Sequence, residues 1–229
     1  MTDSYLPYIL AGAWLTLAVA FGALLIAIVL GLAAAAATQS EYRALRFGAG
    51  AYSTLIRGVP DLVLMLLIFY GGQIAVNALA TRIGIDGGIN IDPFTAGTIT
   101  IGFIYGAYFA ETFRGAMLAV PAGQSEAALA FGMRRWQVLA RIVVPQMLRH
   151  AIPGLTNNWL VMVKATALVS VIGLADLMYR AKQAGAATRA AFFYFLVAAA
   201  VYLVITSVSL VALRALDARF SLGVRRAEV

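Results

Sequence analysis

Five long stretches with few or no charges constrain this chain more than any other feature. They cover residues 9–38, 62–81, 93–110, 151–175 and 190–213. Only Lys164 interrupts them. A helix needs about 20 apolar residues to cross the hydrocarbon layer, and each stretch approaches or exceeds that length. Because backbone groups in lipid must be bonded within the segment, the sequence predicts an all-α integral membrane protein with five transmembrane helices.

The composition also points to a bilayer rather than to water as the solvent. Of the 229 residues, 62% are hydrophobic and 12% are charged, against about 25% charged residues in a typical soluble domain. The length suits one domain over residues 1–229, with a membrane core at about 9–214. The net charge of +7 is spread between the apolar runs rather than along a basic stripe. We therefore expect membrane lipid and no nucleic acid as a partner.

Basic residues predict the orientation of the helices. An odd number of spans places the two chain ends on opposite sides. One side receives twelve arginines, and the other receives Arg82, Arg180, Lys182 and Arg189. The richer side should face the cytoplasm. We therefore expect an external N-terminus, a cytoplasmic C-terminal tail over residues 215–229 and a cytoplasmic loop over about 116–150.

The predicted cytoplasmic loop contains a candidate docking helix. Residues 125–131 favour a short helix, with Ser125 as N-cap and Glu126 in the first turn, where an acid complements the helix dipole. Ala127 and Ala128 keep one face thin, so another protein surface can approach closely. Gly132 permits the backbone turn that ends such a helix. On spacing alone, an interfacial amphipathic helix without a protein partner is the alternative.

A motif in this loop resembles that of a known family. Glu126-Ala127-Ala128, then Gly132, Ile142 and Val144-Pro145 are similar to the EAA motif of ABC import permeases, which has Leu where this chain has Val144. In that family the loop forms a coupling helix that docks into a groove of the ATPase subunit. The resemblance implies a type I ABC importer permease fold. It assigns ATPase coupling to Glu126, Ala127, Ala128, Gly132, Arg134 and Pro145.

Further segments narrow the resemblance to permeases of polar amino acid importers. They are residues 54–61, 105–114, 157–159, 164–170 and 223–227. The pattern is similar to permeases for histidine, lysine, arginine and ornithine, and opine permeases are the alternative. It implies a subunit of the bacterial inner membrane that transports polar, basic amino acids. Its N-terminus would lie in the periplasm. The implied partners are a second permease subunit, two ATP-binding cassette subunits and a periplasmic solute-binding protein.

Ionisable residues near the spans are candidates for the solute pathway. Glu111 and Arg114 are three residues apart and share a helix face, so they can pair; an interior structural pair and a pathway role both remain open. Lys164 lies within a span, where an unpaired ammonium is costly. It must reach the interface, pair with an acid such as Glu111, or face water.

Two hydroxyl residues, Thr166 and Ser170, are further candidates for the solute pathway. Thr166 and Ser170 are four residues apart, so we expect one stripe that borders the pathway, or hydroxyls bonded to their own helix backbone. Many homodimeric relatives have an acid where this chain has Ala165, which suggests a second, different permease chain that supplies most substrate contacts. The full candidate pathway comprises Tyr105, Tyr108, Glu111, Lys164, Thr166 and Ser170.

The sequence also predicts that this chain is not an enzyme. A phosphate-binding P-loop needs Gly-Lys-Ser or Gly-Lys-Thr, whereas Lys164 follows Val163 and Lys182 follows Ala181. The chain has no cysteine and one histidine, so we expect no metal site and no cofactor here. ATP and Mg²⁺ should bind to the partner ATPase. A secondary transporter is less favoured, since we find no inverted repeat, and a membrane scaffold is the third hypothesis.

Overall fold

The structure, a computed structural model, describes residues 5–85 and 88–220, with side chains up to Ala218. The helices in that part are α1 (Leu6–Thr38), α2 (Arg43–Gly58), α3 (Asp61–Arg82), α4 (Pro93–Leu118), α5 (Ala122–Ala130), α6 (Arg135–Val138), α7 (Val144–Ala165), α8 (Leu177–Thr188) and α9 (Ala191–Phe220). A π-helical turn, Leu139–Val143, leads into α7, and a 3₁₀ helix, Thr166–Ile172, continues from it.

Four of the predicted spans correspond to helical stretches that are long and apolar enough to cross a membrane. They cover Leu6–Thr38, Asp61–Arg82, Arg135–Ile172 and Ala191–Ala218. The remaining predicted span lies in α4, which has 26 residues and is therefore about 39 Å long. Glycine and threonine make α4 less apolar, and 12 of its 26 residues are buried within the protein. The all-helical membrane architecture is confirmed, whereas the count of five spans stays a prediction.

Helix α4 lies at the centre of the fold, with α1 packed along it. Close approach of their backbones depends on glycine, as is common between membrane helices. A Cβ atom added to Gly102 would lie 2.6 Å from Ile26 Cβ, and one added to Gly31 would lie 2.7 Å from Phe109 Cβ. Phe109 itself is 1% exposed. The candidate residues on α4 are therefore carried by the most enclosed helix of the described structure.

The 3₁₀ helix redirects the chain between α7 and α8. It ends at Gly173, whose φ of 97° is left-handed, a conformation that glycine adopts without steric cost. Gly97 on α4 leaves room for Val169 of this segment. Asp176 then caps α8 by accepting from the Tyr179 N–H at 2.9 Å, and α8 packs against α9.

Two predicted helix starts are wrong. Helix α5 begins at Ala122, three residues before the expected position, and Ser125 is therefore inside it. Pro121 holds the N-cap position because its φ of −60° and ψ of 131° place it just outside the helix. Pro60 and Asp61 together predict a helix start, with the proline as the first helical residue and the acid complementing the helix dipole. Pro60 instead has a ψ of 135° and is the N-cap of α3. Asp61 does lie in the first turn.

Some of the predicted segments lie partly outside the described residues. Glycine and aspartate in the segment 84–93 predict an external turn. The segment corresponds to the connection between α3 and α4, in which residues 86 and 87 are not described. Helix α9 continues through residues 215–220 of the predicted tail. The segment 223–227, which contributed to the resemblance, lies outside the described residues.

Candidate functional site

The predicted coupling residues form a small exposed helix on the surface. Glu126 and Ala127 face outward, whereas Ala128 is 7% exposed and faces the rest of the chain. Phe131, just after the helix, is 91% exposed. Gly132 has a φ of 80°, as expected for the residue that ends the helix. An acid and a small residue on this nine-residue helix, and an aromatic ring directly after it, are thus presented together.

The two other predicted coupling residues position the segment that follows. Arg134 is the N-cap of α6, and its backbone N–H donates to Gln137 Oε1 at 2.8 Å. Pro145 lies in the first turn of α7, where the missing N–H of proline is tolerated. These residues shape the path from α5 back into the membrane region.

The structure brings three of the pathway candidates together at the cytoplasmic half of α4, in the predicted orientation. The rings of Tyr105 and Tyr108 stack with their centres 5.3 Å apart. The Tyr105 hydroxyl donates to Asp61 Oδ2 at 3.2 Å. Arg114 donates to Glu111 Oε2 from Nη2 at 2.7 Å and from Nε at 3.1 Å. The predicted pairing of Glu111 with Arg114 is confirmed.

Arg57 joins this group from α2. Its Nη1 lies 3.9 Å from Glu111 Oε2, and its guanidinium carbon lies 5.7 Å from the centre of the Tyr108 ring. We name the whole set the Arg57 cluster. Its members are Arg57, Asp61, Tyr105, Tyr108, Glu111 and Arg114. It links α2, the start of α3 and α4 through two carboxylates, two guanidinium groups and two stacked rings.

Lys164 and Thr166 lie apart from the Arg57 cluster, beside Tyr202. Lys164 is exposed and lines a cavity of ≈ 560 Å³ between the end of α7, α8 and α9, together with Tyr202 and Thr206. In the described part of the chain no ion pair joins Lys164 to Glu111, which is instead bonded to arginines. The expected pairing with Glu111 is therefore not found in this part of the chain, and Lys164 lies at an open cavity.

The expected stripe of Thr166 and Ser170 is wrong. These residues belong to the 3₁₀ helix, which has three residues per turn, so positions four apart point in different directions. Both hydroxyls are bonded locally, as the alternative proposed. Thr166 donates to the Val163 carbonyl at 2.7 Å and Ser170 to the Ala167 carbonyl at 2.8 Å. The Thr166 hydroxyl also lies 3.5 Å from that of Tyr202.

Three residues of these groups were not selected from the sequence. Arg57 was counted only as a cytoplasmic charge and Asp61 only as a complement to a helix dipole. Tyr202 lies in a long apolar run. The signal for Tyr202 was available, because a hydroxyl inside a membrane segment needs a hydrogen-bond partner. The cluster around Arg57 depends on contacts between distant parts of the chain.

The residues also limit the chemistry of the site. Within residues 5–85 and 88–220, no three His, Asp or Glu side chains converge in a way that would hold a metal ion. Charged groups, hydroxyls and aromatic rings can instead bind a polar solute reversibly.

Comparison with known proteins identifies the family. Residues 27–222 match the family described as the inner membrane component of binding-protein-dependent transport systems. The chain belongs to this family.

Individual relatives match this inner membrane component over nearly its whole length. It is 52% identical over 221 residues to the histidine/lysine/arginine/ornithine transport system permease protein HisQ of Salmonella typhimurium, covering 96% of each chain. It is 40% identical to the octopine transport system permease protein OccQ of Rhizobium meliloti, covering 93% of this chain and 90% of the relative. It is 36% identical to the arginine ABC transporter permease protein ArtQ of Escherichia coli, covering 94% and 96%.

Solved structures support the fold of the inner membrane component. A crystal structure of an amino acid ABC transporter with histidines matches with a TM-score of 0.80 at 33% identity, covering 95% of this chain and 96% of that chain. The inward-facing methionine ABC transporter MetNI matches with a TM-score of 0.77 at 17% identity, covering 96% and 99%. At 17% identity, the match to MetNI shows a similar fold and nothing more. Both agree with the type I importer architecture.

Proposed function

We propose that this chain is a permease subunit of an ATP-driven importer for polar amino acids, and that its solutes carry basic side chains. The observation that carries this proposal is the 52% identity over 96% of the chain to a permease named for histidine, lysine, arginine and ornithine transport. The relative named for octopine transport, at 40% identity, makes an opine the second candidate solute.

The two polar sites support a solute pathway with different roles for each part. The cavity beside Lys164 offers an ammonium group and the hydroxyls of Tyr202 and Thr206. An ammonium is suited to the α-carboxylate that every amino acid carries. The Arg57 cluster offers carboxylates and ring faces, which are suited to a cationic group. A basic amino acid has one group for each environment.

Solute recognition is divided between two permease chains in this proposal. Ala165 follows Lys164 directly and has no charge, so a carboxylate at this depth comes from a second, different permease subunit. A periplasmic binding protein delivers the solute, and two ATP-binding cassette subunits bind ATP and Mg²⁺. The N-terminus is periplasmic and the C-terminus cytoplasmic in the bacterial inner membrane. This orientation follows from the excess of arginines on one side.

Helix α5 supplies the coupling in this mechanism. ATP closes the two nucleotide-binding subunits, which pull on the coupling helices of both permeases. The permeases rotate, the cavity opens outward, and hydrolysis returns them to the inward-facing state. Outward-facing Glu126 and Ala127 and the exposed ring of Phe131 provide the contact surface. A motor on a separate chain is consistent with the missing P-loop.

Uptake of labelled arginine by the complete complex in proteoliposomes tests the proposal. Uptake should require ATP and the binding protein. Lys164→Met removes the ammonium from the cavity and should lower uptake about tenfold or more, which corresponds to about 1.4 kcal/mol of lost stabilisation. Lys182→Met, which changes the only other lysine, should leave uptake within about twofold of the wild type, since loss of one exposed charge contributes little.

Three results would each contradict a part of the proposal. ATP-independent arginine uptake by this chain alone, driven by an ion gradient, would indicate a secondary transporter. Equal uptake by the Lys164→Met and wild-type complexes would exclude a pathway along this cavity. Replacement of the partner's acid at the position that corresponds to Ala165 should abolish uptake, and survival of uptake would refute the division between chains.

A further inference from the structure

The contacts of Arg57 are looser than those of its neighbours. Its guanidinium carbon lies 5.7 Å from the centre of the Tyr108 ring, and its Nη1 lies 3.9 Å from Glu111 Oε2. These distances approach the outer limits of about 6 Å for a cation–π contact and about 4 Å for an ion pair. The Arg57 side chain is also 44% exposed. Arg57 is therefore weakly held where it lies.

The groups that Arg57 touches are fixed by other side chains. Arg114 holds the Glu111 carboxylate with contacts of 2.7 and 3.1 Å. Tyr105 is 3% exposed, stacks on Tyr108, and donates to Asp61. The carboxylate and the ring face thus keep their positions without Arg57. This arrangement is expected of a preformed binding site. In a purely structural ion pair, Arg57 would be needed to hold Glu111 and Tyr108 in place.

Charge balance within the Arg57 cluster requires a second cation beside Arg114. Asp61 and Glu111 carry two negative charges, and Arg57 and Arg114 carry two positive charges. Without Arg57 the cluster would have one excess negative charge next to the face of Tyr108. Such a site favours a guanidinium or an ammonium group, which can contact the carboxylate and the ring together. Arg57 supplies this chemistry from within the chain.

Arg57 lies on the exposed face of the last turn of α2, whereas Ile56 beside it packs against the hydrophobic core. Of the sixteen residues of α2, all of which the structure describes, Ala49 and Ser53 are buried. Both lie at least one turn before Arg57. After Gly58, the extended residues Val59 and Pro60 lead to α3. A change of side-chain rotamer can therefore withdraw the 44% exposed Arg57 side chain from Tyr108 while the backbone of α2 keeps its position.

We propose that Arg57 is a tethered competitor for the cationic side chain of the transported amino acid. The solute displaces Arg57 from between Tyr108 and Glu111, and Arg57 returns when the solute leaves. This competition lowers the affinity of the inward-facing site for basic amino acids and so favours release. The inference rests on the proposed basic solute and on the cytoplasmic position of this half of α4.

Equilibrium binding to the complete complex tests this inference. The complex is placed in nanodiscs without ATP or binding protein, and labelled arginine is titrated. Arg57→Gln removes the competing cation and should tighten arginine binding about tenfold. Arg57→Lys keeps a tethered cation and should bind within about twofold of the wild type. Arg43→Gln, which changes an exposed arginine of the same helix, is the matched control and should also bind as the wild type.

The site of tightened binding is checked with a second change and a second solute. Adding Glu111→Gln to Arg57→Gln should return arginine binding to the wild-type level or below. Glutamine, which has no cationic side chain, should bind equally to the wild type and to Arg57→Gln. Unchanged or weaker arginine binding in Arg57→Gln would overturn the inference, as would equal tightening by Arg43→Gln or for glutamine. Absence of arginine uptake by the wild-type complex would instead refute the proposed function.

Discussion

Asp176 is a carboxylate whose surroundings oppose its charge. The residue is 1% exposed, and burial raises the pKa of its carboxyl from the ordinary value of 3.8 to about 6. One oxygen accepts from the Tyr179 N–H, whereas Oδ2 has no hydrogen-bond partner among the described residues. The residue therefore caps α8 at a cost in stability whenever it is ionised.

The pH dependence of stability should reveal this cost. Because the folded pKa lies above the unfolded value, the carboxyl contributes most favourably below about pH 4 and loses that contribution as the pH rises to about 6. Asp176→Asn keeps a capping side chain without the charge. Thermal unfolding in detergent should show the variant more stable at pH 7.5, by up to about 3 kcal/mol, with no such gain at pH 4.

An exposed N-cap provides the matched control for Asp176. Hydrogen bonding from the Thr95 backbone N–H lowers the pKa of Asp92, so its ionised form stabilises the start of α4. Asp92→Asn should therefore destabilise the protein slightly at pH 7.5. A gain in stability from both variants, or equal changes for Asp176→Asn at both pH values, would contradict the assignment to burial.

Contacts between residues that are close in sequence could be predicted, whereas contacts between residues on different helices could not. The contact of Glu111 with Arg114 follows from a spacing of three on a helix. The contact of Arg57 with Glu111 joins α2 to α4 and depends on how those helices pack. Sequence spacing contains no information about that packing. Tyr202 and Thr166 meet for the same reason, across α9 and the 3₁₀ helix.

At the scale of elements, α5 depends on the turn that ends it. Gly132 has a φ of 80°, which is strained for residues with a Cβ atom. Gly132→Val should therefore displace the end of α5. If α5 couples to the ATPase, arginine uptake should fall about tenfold or more. Co-purification of the ATPase subunit measures docking in the same preparations.

The same helix offers a control for this change. Gly123 lies inside α5, and a Cβ atom added there would meet no atom within 4 Å. Gly123→Ala should preserve both docking and uptake, because alanine favours the helix. Normal docking and uptake in Gly132→Val would exclude α5 as the coupling element.

Predictability also varied between elements. Long apolar runs located α1, α3, α4, α7 and α9, because lipid allows few other structures for such segments. Helices α2 and α8 are more polar and were not predicted from hydropathy. The 3₁₀ helix was not predicted either, since its residues alone do not distinguish it from a continued α-helix. It ends at Gly173, and Val169 within it packs against Gly97 of α4.

For the whole molecule, the predicted orientation is open to a direct measurement. The chain has no cysteine, so single cysteines report position without background. In the proposed orientation, Ala127→Cys should react with an impermeant thiol reagent only from the cytoplasmic side. Ile85→Cys, at the 46% exposed Ile85 between α3 and α4, should react only from the periplasmic side. Labelling of Ala127→Cys from the periplasm would place α5 beyond the reach of a cytoplasmic ATPase.

The winding of Thr166–Ile172 also sets how far the chain could travel there. A 3₁₀ helix rises about 2.0 Å per residue and an α-helix about 1.5 Å. Seven residues would therefore shorten by about 3.5 Å and turn by about 140° on conversion between the two forms. Such a conversion combines translation with rotation. It would shift and rotate Thr166 relative to its neighbours while the rest of α7 stayed intact.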